Sequence, residues 1–125
     1  MKPNSISGIS YYVRDLSRTA EFYETLGFRR GKEESDRLTF YVHWFFVTVI
    51  DGDREVDADR PKEAERASKG AGVHLHVKVD DIEDFHGSVV SKGMTPEGEP
   101  RTRHNGGREF MLRDPDGYQL VFFEK

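Results

Sequence analysis

Two histidines stand one residue apart in the stretch GVHLHVKVDD, Gly72 to Asp81, which closes on a pair of aspartates. Imidazoles and carboxylates hold divalent metals and move protons near neutral pH, so this stretch has the residue types for either chemistry. In an extended strand successive side chains alternate between faces. His74, His76 and Lys78 then share one face, and Val73, Leu75, Val77 and Val79 share the other. The spacing suits two metal ligands, a general base, or the polar side of a half-buried strand.

Few other residues compete for a chemical role. The chain has no cysteine, which removes disulfides, cysteine-ligated zinc and thiol catalysis together. His43, His86 and His104 are expected at the surface, His86 on a helix and His104 in a turn. Arg101, Arg103, Arg108 and Arg113 gather near the turn HNGG. Two of them could hold an anion, since a guanidinium pairs well with carboxylate or phosphate, but an exposed strand face is the expected role.

The elements that must position these groups belong to one domain, residues 1–125, of a size that supports a single core. A net charge of −4 argues against a nucleic-acid-binding module, which usually carries a basic face. The longest uncharged apolar run, Trp44 to Ile50, is far shorter than the roughly 20 residues of a membrane span and predicts a buried strand. The opening residues MKPNSISGIS lack the apolar core of a signal peptide, so a cytoplasmic protein without membrane or nucleic-acid partners is expected. The segment DGDREVDADRPKEAERASK mixes acids and bases with few large apolar residues and predicts a solvated connection.

The chain repeats itself. VRDLSRTAEFYETLGF lies over VDDIEDFHGSVVSKGM with a constant offset: Val13 falls on Val79, Asp15 on Asp81, Leu16 on Ile82, Gly27 on Gly93 and Phe28 on Met94 (79 − 13 = 93 − 27 = 66). Ile9, Tyr11 and Val13 alternate as the packed face of a strand, and Asp15 caps a helix carrying Leu16, Ala20, Tyr23 and Leu26 at helical spacing. Gly27 supplies the left-handed residue that ends it. In the second copy Asp80 or Asp81 caps, Ile82, Phe85, Val89 and Val90 form the stripe, and Gly93 stops the helix. Strands follow at 28–34, 37–43 and 44–50, and again at 95–102, 107–113 and 118–124, with turns at HNGG and DPDG. Pro96 and Pro100 predict an edge or irregular strand, because proline cannot donate to a ladder. The resulting fold class is α+β: two βαβββ repeat units, residues 5–51 and 71–125 joined by 52–70, forming a curved, partly open, barrel-like mixed sheet with helices outside and a pocket on its concave face.

The segments VRDLSRTAEFYETLGF, its copy from Val79, and EFMLRDPDGYQLVFFEK resemble the vicinal oxygen chelate superfamily, also called the glyoxalase, bleomycin resistance and extradiol dioxygenase superfamily, over nearly the whole chain. The resemblance implies that in metal-dependent members each unit supplies one ligand from its first strand, commonly His seven residues before the capping Asp, and one from its last strand, commonly Glu. Seven before Asp15 is Gly8; seven before Asp81 is His74, the only matched position. The family pattern DPDGYxxE appears as DPDGYQLV, placing Val121 at the carboxylate position, and Thr48 takes the corresponding place in WFFVTVI.

With strand parity set by those positions, the expected ligand-binding face collects Ser10, Tyr12, Arg14, Trp44, Phe46 and Thr48 from one unit, and His74, His76, Lys78, Gln119, Val121 and Phe123 from the other. Trp44, the only tryptophan, is the first choice for a stacking wall. The resemblance then implies a metal-free protein of the bleomycin-resistance type that sequesters a small organic molecule, needs no cofactor, and forms a homodimer. The alternative is a glyoxalase-like lyase, isomerase or dioxygenase. It would use a divalent metal on His74, His76 and another His or Glu, or no metal, with His74 or His76 as the catalytic base.

Overall fold

The computed structural model describes residues 1–52, 70–104 and 106–124; the expected connection over 52–70 lies, apart from its two ends, outside the described residues. The chain divides into two compact units, Met1–Ala67 and Ser68–Lys125.

The first unit runs β1 (Gly8–Val13), α1 (Leu16–Thr25), β2 (Arg29–Glu33), β3 (Arg37–Val42) and β4 (Phe45–Asp51). Its strands lie in the order β1-β4-β3-β2, with β1 parallel to β4 and the remaining pairs antiparallel. The second unit runs β5 (His74–Lys78), α2 (Ile82–Ser91), β6 (Arg101–Thr102), β7 (Arg108–Arg113) and β8 (Gln119–Glu124), in the order β5-β8-β7-β6 with the same pattern of directions. Two βαβββ units are therefore present, as two separate four-stranded sheets and without a closed barrel among the described residues.

The offset of 66 survives into three dimensions, since the helices begin at 16 and 82 and end at 25 and 91 (82 − 16 = 91 − 25 = 66). Asp15 accepts from the Arg18 amide and Asp81 from the Asp84 amide, so Asp81 rather than Asp80 is the cap, and each carboxylate satisfies a donor that the helix leaves open. At the other end Gly27 and Gly93 take φ of 94° and 87°, a conformation that disfavours side chains, and the next residue bonds back to Tyr23 or Val89.

In the first unit the helix covers the strand positions of odd parity in β1. Ile9 and Tyr11 lie beside Val47 and Val49, which lie beside Phe40 and Leu38, and Tyr23 of α1 packs on Tyr11, Phe28 and Phe40. In the second unit Leu75 and Val77 lie beside Leu120 and Phe122, and Phe85 of α2 packs on Phe110 and Phe122. Arg30 of β2 reaches Glu24 of α1 at 2.6 Å, and this hydrogen bond, with the charge behind it, holds the Glu24 carboxyl below the usual carboxylate range.

Several expectations need correction. His86 is buried, 8 % exposed: it takes the place on the helix stripe expected of Val90, which is exposed. Its Nε2 donates to the Gly98 carbonyl at 3.1 Å and its ring stands edge-on to Phe110 at 4.9 Å, so the ring packs on the apolar stripe with its donor satisfied instead of lying at the surface. Trp44 is not a strand residue. It shares the β3–β4 turn with His43, whose φ is 56°, and is 59 % exposed. The expected strand over 95–102 shrinks to the two residues of β6 at the sheet edge, beside Pro96 and Pro100.

Candidate functional site

Each sheet has one face under its helix and one face free of it, because strand side chains alternate. In the first unit the helix-free face is built in rows across β1, β4 and β3. Gly8 lies beside Phe46 and Phe46 beside Tyr41; Ser10 beside Thr48 and Thr48 beside Thr39; Tyr12 beside Ile50 and Ile50 beside Arg37. The first row is aromatic and the second is hydroxylic. Thr39 and Thr48 join hydroxyls at 2.8 Å.

Two glycines shape the aromatic row. A Cβ on Gly8 would fall 2.5 Å from Cγ and Cε1 of Phe46, with Cδ1 closer still, and a Cβ on Gly31 would fall 2.5 Å from Cε2 of Tyr41. Neither is an ordinary contact, so each ring occupies space that any side chain at its glycine would need. The Arg29 guanidinium lies 5.7 Å from the Tyr41 ring centroid, within cation–π range.

In the second unit the helix-free face places His74 beside Gln119, His76 beside Val121 and Lys78 beside Phe123. The two imidazoles are exposed, with ring centroids 6.4 Å apart, and His76 stands 6.2 Å from Phe123. Arg103 covers Phe123 at 4.7 Å and donates to Glu109 at 3.0 Å. The other three arginines near the HNGG turn also meet carboxylates: Arg101 meets Glu109, Arg108 meets Glu83 at 2.5 Å, and Arg113 meets Glu97 at 2.6 Å. Their charge is answered inside the unit, which leaves little for an anionic ligand.

Ser10, Phe46 and Thr48 meet on one face of the first unit; His74, His76, Gln119, Val121 and Phe123 meet on one face of the second. Tyr12 has the parity of Ser10 but is buried, and Val121 is 2 % exposed. Trp44 sits in the turn, and Arg14 lies beyond the end of β1. Tyr41 and Thr39 belong with the site and were missed. The signal was available in RLTFYV, where alternation puts Thr39 and Tyr41 opposite Leu38 and Phe40, but it needed the β3–β4 register to say which side is which.

The donor set can be tested against the divalent metal that the resemblance implies. Such a metal needs several imidazole and carboxylate donors converging with open positions for water or substrate. Here Gly8 has no side chain and its space is filled by Phe46, Thr48 shares a hydroxyl–hydroxyl hydrogen bond with Thr39, and Val121 is a buried hydrocarbon. Among the described residues no three His, Asp or Glu side chains converge as a metal would need. The residues present do not fit the group.

Comparison with known proteins agrees with the fold. Residues 5–122 match the model of the Glyoxalase/Bleomycin resistance protein/Dioxygenase superfamily, and the chain belongs to that family. Among individual proteins it is similar to the uncharacterized protein YwbC of Bacillus subtilis (strain 168), 26 % identical with 90 % of this chain and 91 % of that one covered. Its fold is similar to that of a lactoylglutathione lyase from Agrobacterium tumefaciens, with a TM-score of 0.79, 18 % identity, and 98 % and 95 % of the two chains covered. It is also similar to a glyoxalase/bleomycin resistance protein/dioxygenase from Nocardioides, with a TM-score of 0.84, 17 % identity, and 99 % and 85 % covered. Among the described residues no helix is long and apolar enough to cross a membrane.

Proposed function

We propose that this protein binds or sequesters a small organic molecule without a metal, in the manner of the bleomycin-resistance branch of its family, and that it does so as a cytoplasmic homodimer. The observation that carries the reading is the Phe46 ring lying where a side chain on Gly8 would project. A first-strand metal ligand in that unit is replaced by an aromatic surface, and beside it stand hydroxyls suited to orienting a ligand rather than holding a cation. Apolar walls with a few convergent polar groups are the usual make-up of small-molecule sites.

Trp44 is the only tryptophan and directly precedes β4, two residues before Phe46, so its emission serves as a reporter close to this face. Titration of EDTA-treated protein with bleomycin, 4-nitrophenol and benzamide, corrected for absorbance, is expected to give saturable quenching by at least one of them. Linear, collisional quenching by all three would overturn the reading. Stoichiometric metal that is lost in His74→Ala would move the function to lyase, isomerase or dioxygenase chemistry, with His74 or His76 as ligand or base.

A further inference from the structure

We infer that the helix-free face of the first unit carries a slot for one flat aromatic ring bearing a hydroxyl or amide on its edge, with Phe46 and Tyr41 as walls and the Thr39–Thr48 hydroxyl pair at its closed end. The inference deepens the proposed binding role and rests on it.

Phe46 and Tyr41 are directly opposite residues on neighbouring antiparallel strands. Such pairs hold their Cβ atoms about 4.5–5.5 Å apart, and two aromatic rings so placed ordinarily stack on each other. These do not. Phe46 leans away from β3 over Gly8 of β1, and Tyr41 leans away from β4 over Gly31 of β2. Each glycine lacks the one atom that would push its ring back, and the Arg29 guanidinium adds a cation–π contact to Tyr41. The two rings are thus drawn to opposite sides of the β3–β4 pair, and both residues are only half-buried, so the space inferred between them is open to solvent.

The end of the opening is polar. One step along both strands, about 7 Å away, Thr48 and Thr39 face the same side and share one hydrogen bond. A hydroxyl carries one proton and two acceptor positions. Whichever threonine donates, its partner's proton is not used in that bond, and lone pairs remain on both oxygens. Ser10, exposed and next in the row, adds a third hydroxyl. The pair can therefore accept from and donate to a phenol or a primary amide at once. It offers nothing to a bare hydrocarbon.

The test is methyl NMR of the full chain with labelled threonine, using phenol, benzamide, toluene and cyclohexanol as probes, beside Gly8→Ala and Gly31→Ala. Phenol and benzamide are expected to shift the Thr39 and Thr48 methyls saturably. Toluene, without the polar edge, and cyclohexanol, without the flat ring, are expected to bind at least about tenfold more weakly, the scale of one unmatched hydrogen bond or stacking contact. Gly8→Ala adds only a methyl, yet it forces Phe46 toward Tyr41 and is expected to close the slot, with phenol binding reduced at least about tenfold. Gly31→Ala does the same from the other wall, so the expectation stands even if one variant does not fold by amide dispersion. If phenol instead shifts signals around His74 and His76 and is unaffected by either glycine variant, the slot is wrong while metal-free binding stands. If bleomycin quenches Trp44 saturably but neither phenol nor benzamide perturbs the threonines, the slot is again overturned alone. Absence of binding by every compound overturns both.

Discussion

Replacing Tyr23 with alanine is expected to lower stability by about 3–5 kcal/mol, the range for deleting a large buried aromatic side chain. Tyr23 is fully buried and is the ring on which the first unit closes: Phe22 and Phe28 approach it at 5.1 Å, Phe40 at 5.6 Å and Tyr11 at 6.5 Å. These partners come from the helix itself, the loop after it and two strands, so the cavity cannot collapse by moving one neighbour. Its hydroxyl also bonds the Tyr11 hydroxyl. Tyr23→Phe keeps the ring and loses that bond, and is expected to cost only about 1–3 kcal/mol. Denaturant midpoints of the two variants separate packing from hydrogen bonding. Equal losses would contradict the packing role. The consequence reaches the site, because Val47 and Val49 sit on the face that Tyr23 supports while Phe46 and Thr48 sit on its reverse.

Phe122→Ala is expected to cost the second unit a similar amount, about 3–5 kcal/mol. Phe122 is fully buried in β8, stacked with Phe110 at 5.3 Å and tilted against Phe85 of α2 at 4.8 Å, so it ties the helix to two strands. The same strand end holds the helix in a second way, since the Glu124 carboxylate accepts from the Ile82 amide at 2.7 Å. The neighbouring Phe123 faces the other side and is half-buried between Arg103 and His76. Phe123→Ala is therefore expected to cost less than half as much. A comparison of thermal unfolding for the two alanine variants checks the division into a helix face and a free face; equal losses would sink it.

Much of this architecture is legible in the chain because it rests on local rules. Asp15 and Asp81 before apolar stripes, Gly27 and Gly93 after them, and the constant offset between them specify two copies of one unit before any packing is known. Prolines 96 and 100 correctly weaken the strand that contains them. The errors lie where a residue's role depends on a partner far along the chain. His86 has the helical spacing of a core residue relative to Ile82 and Val89, but only the Gly98 carbonyl makes it a satisfied one. Trp44 reads as the first residue of an apolar run, and only the pairing of Val42 with Phe45 shows that it belongs to the turn. Gly8 is visible as a missing ligand; that Phe46 fills its place is a fact of register between β1 and β4, as is the meeting of Thr39 with Thr48 across β3 and β4. The arginines near HNGG likewise find Glu83, Glu97 and Glu109 through tertiary placement.

The central claim is that the aromatic face binds its ligand without a metal, and metal content decides it most directly. Protein purified without added metal, then loaded with zinc, nickel, manganese or iron and dialysed, is measured by elemental analysis alongside His74→Ala. The account predicts far less than one metal per chain in every case and no difference between the two proteins, because one imidazole of the expected set cannot hold a divalent ion against dialysis. One metal per chain in the natural protein, absent from His74→Ala, would contradict it.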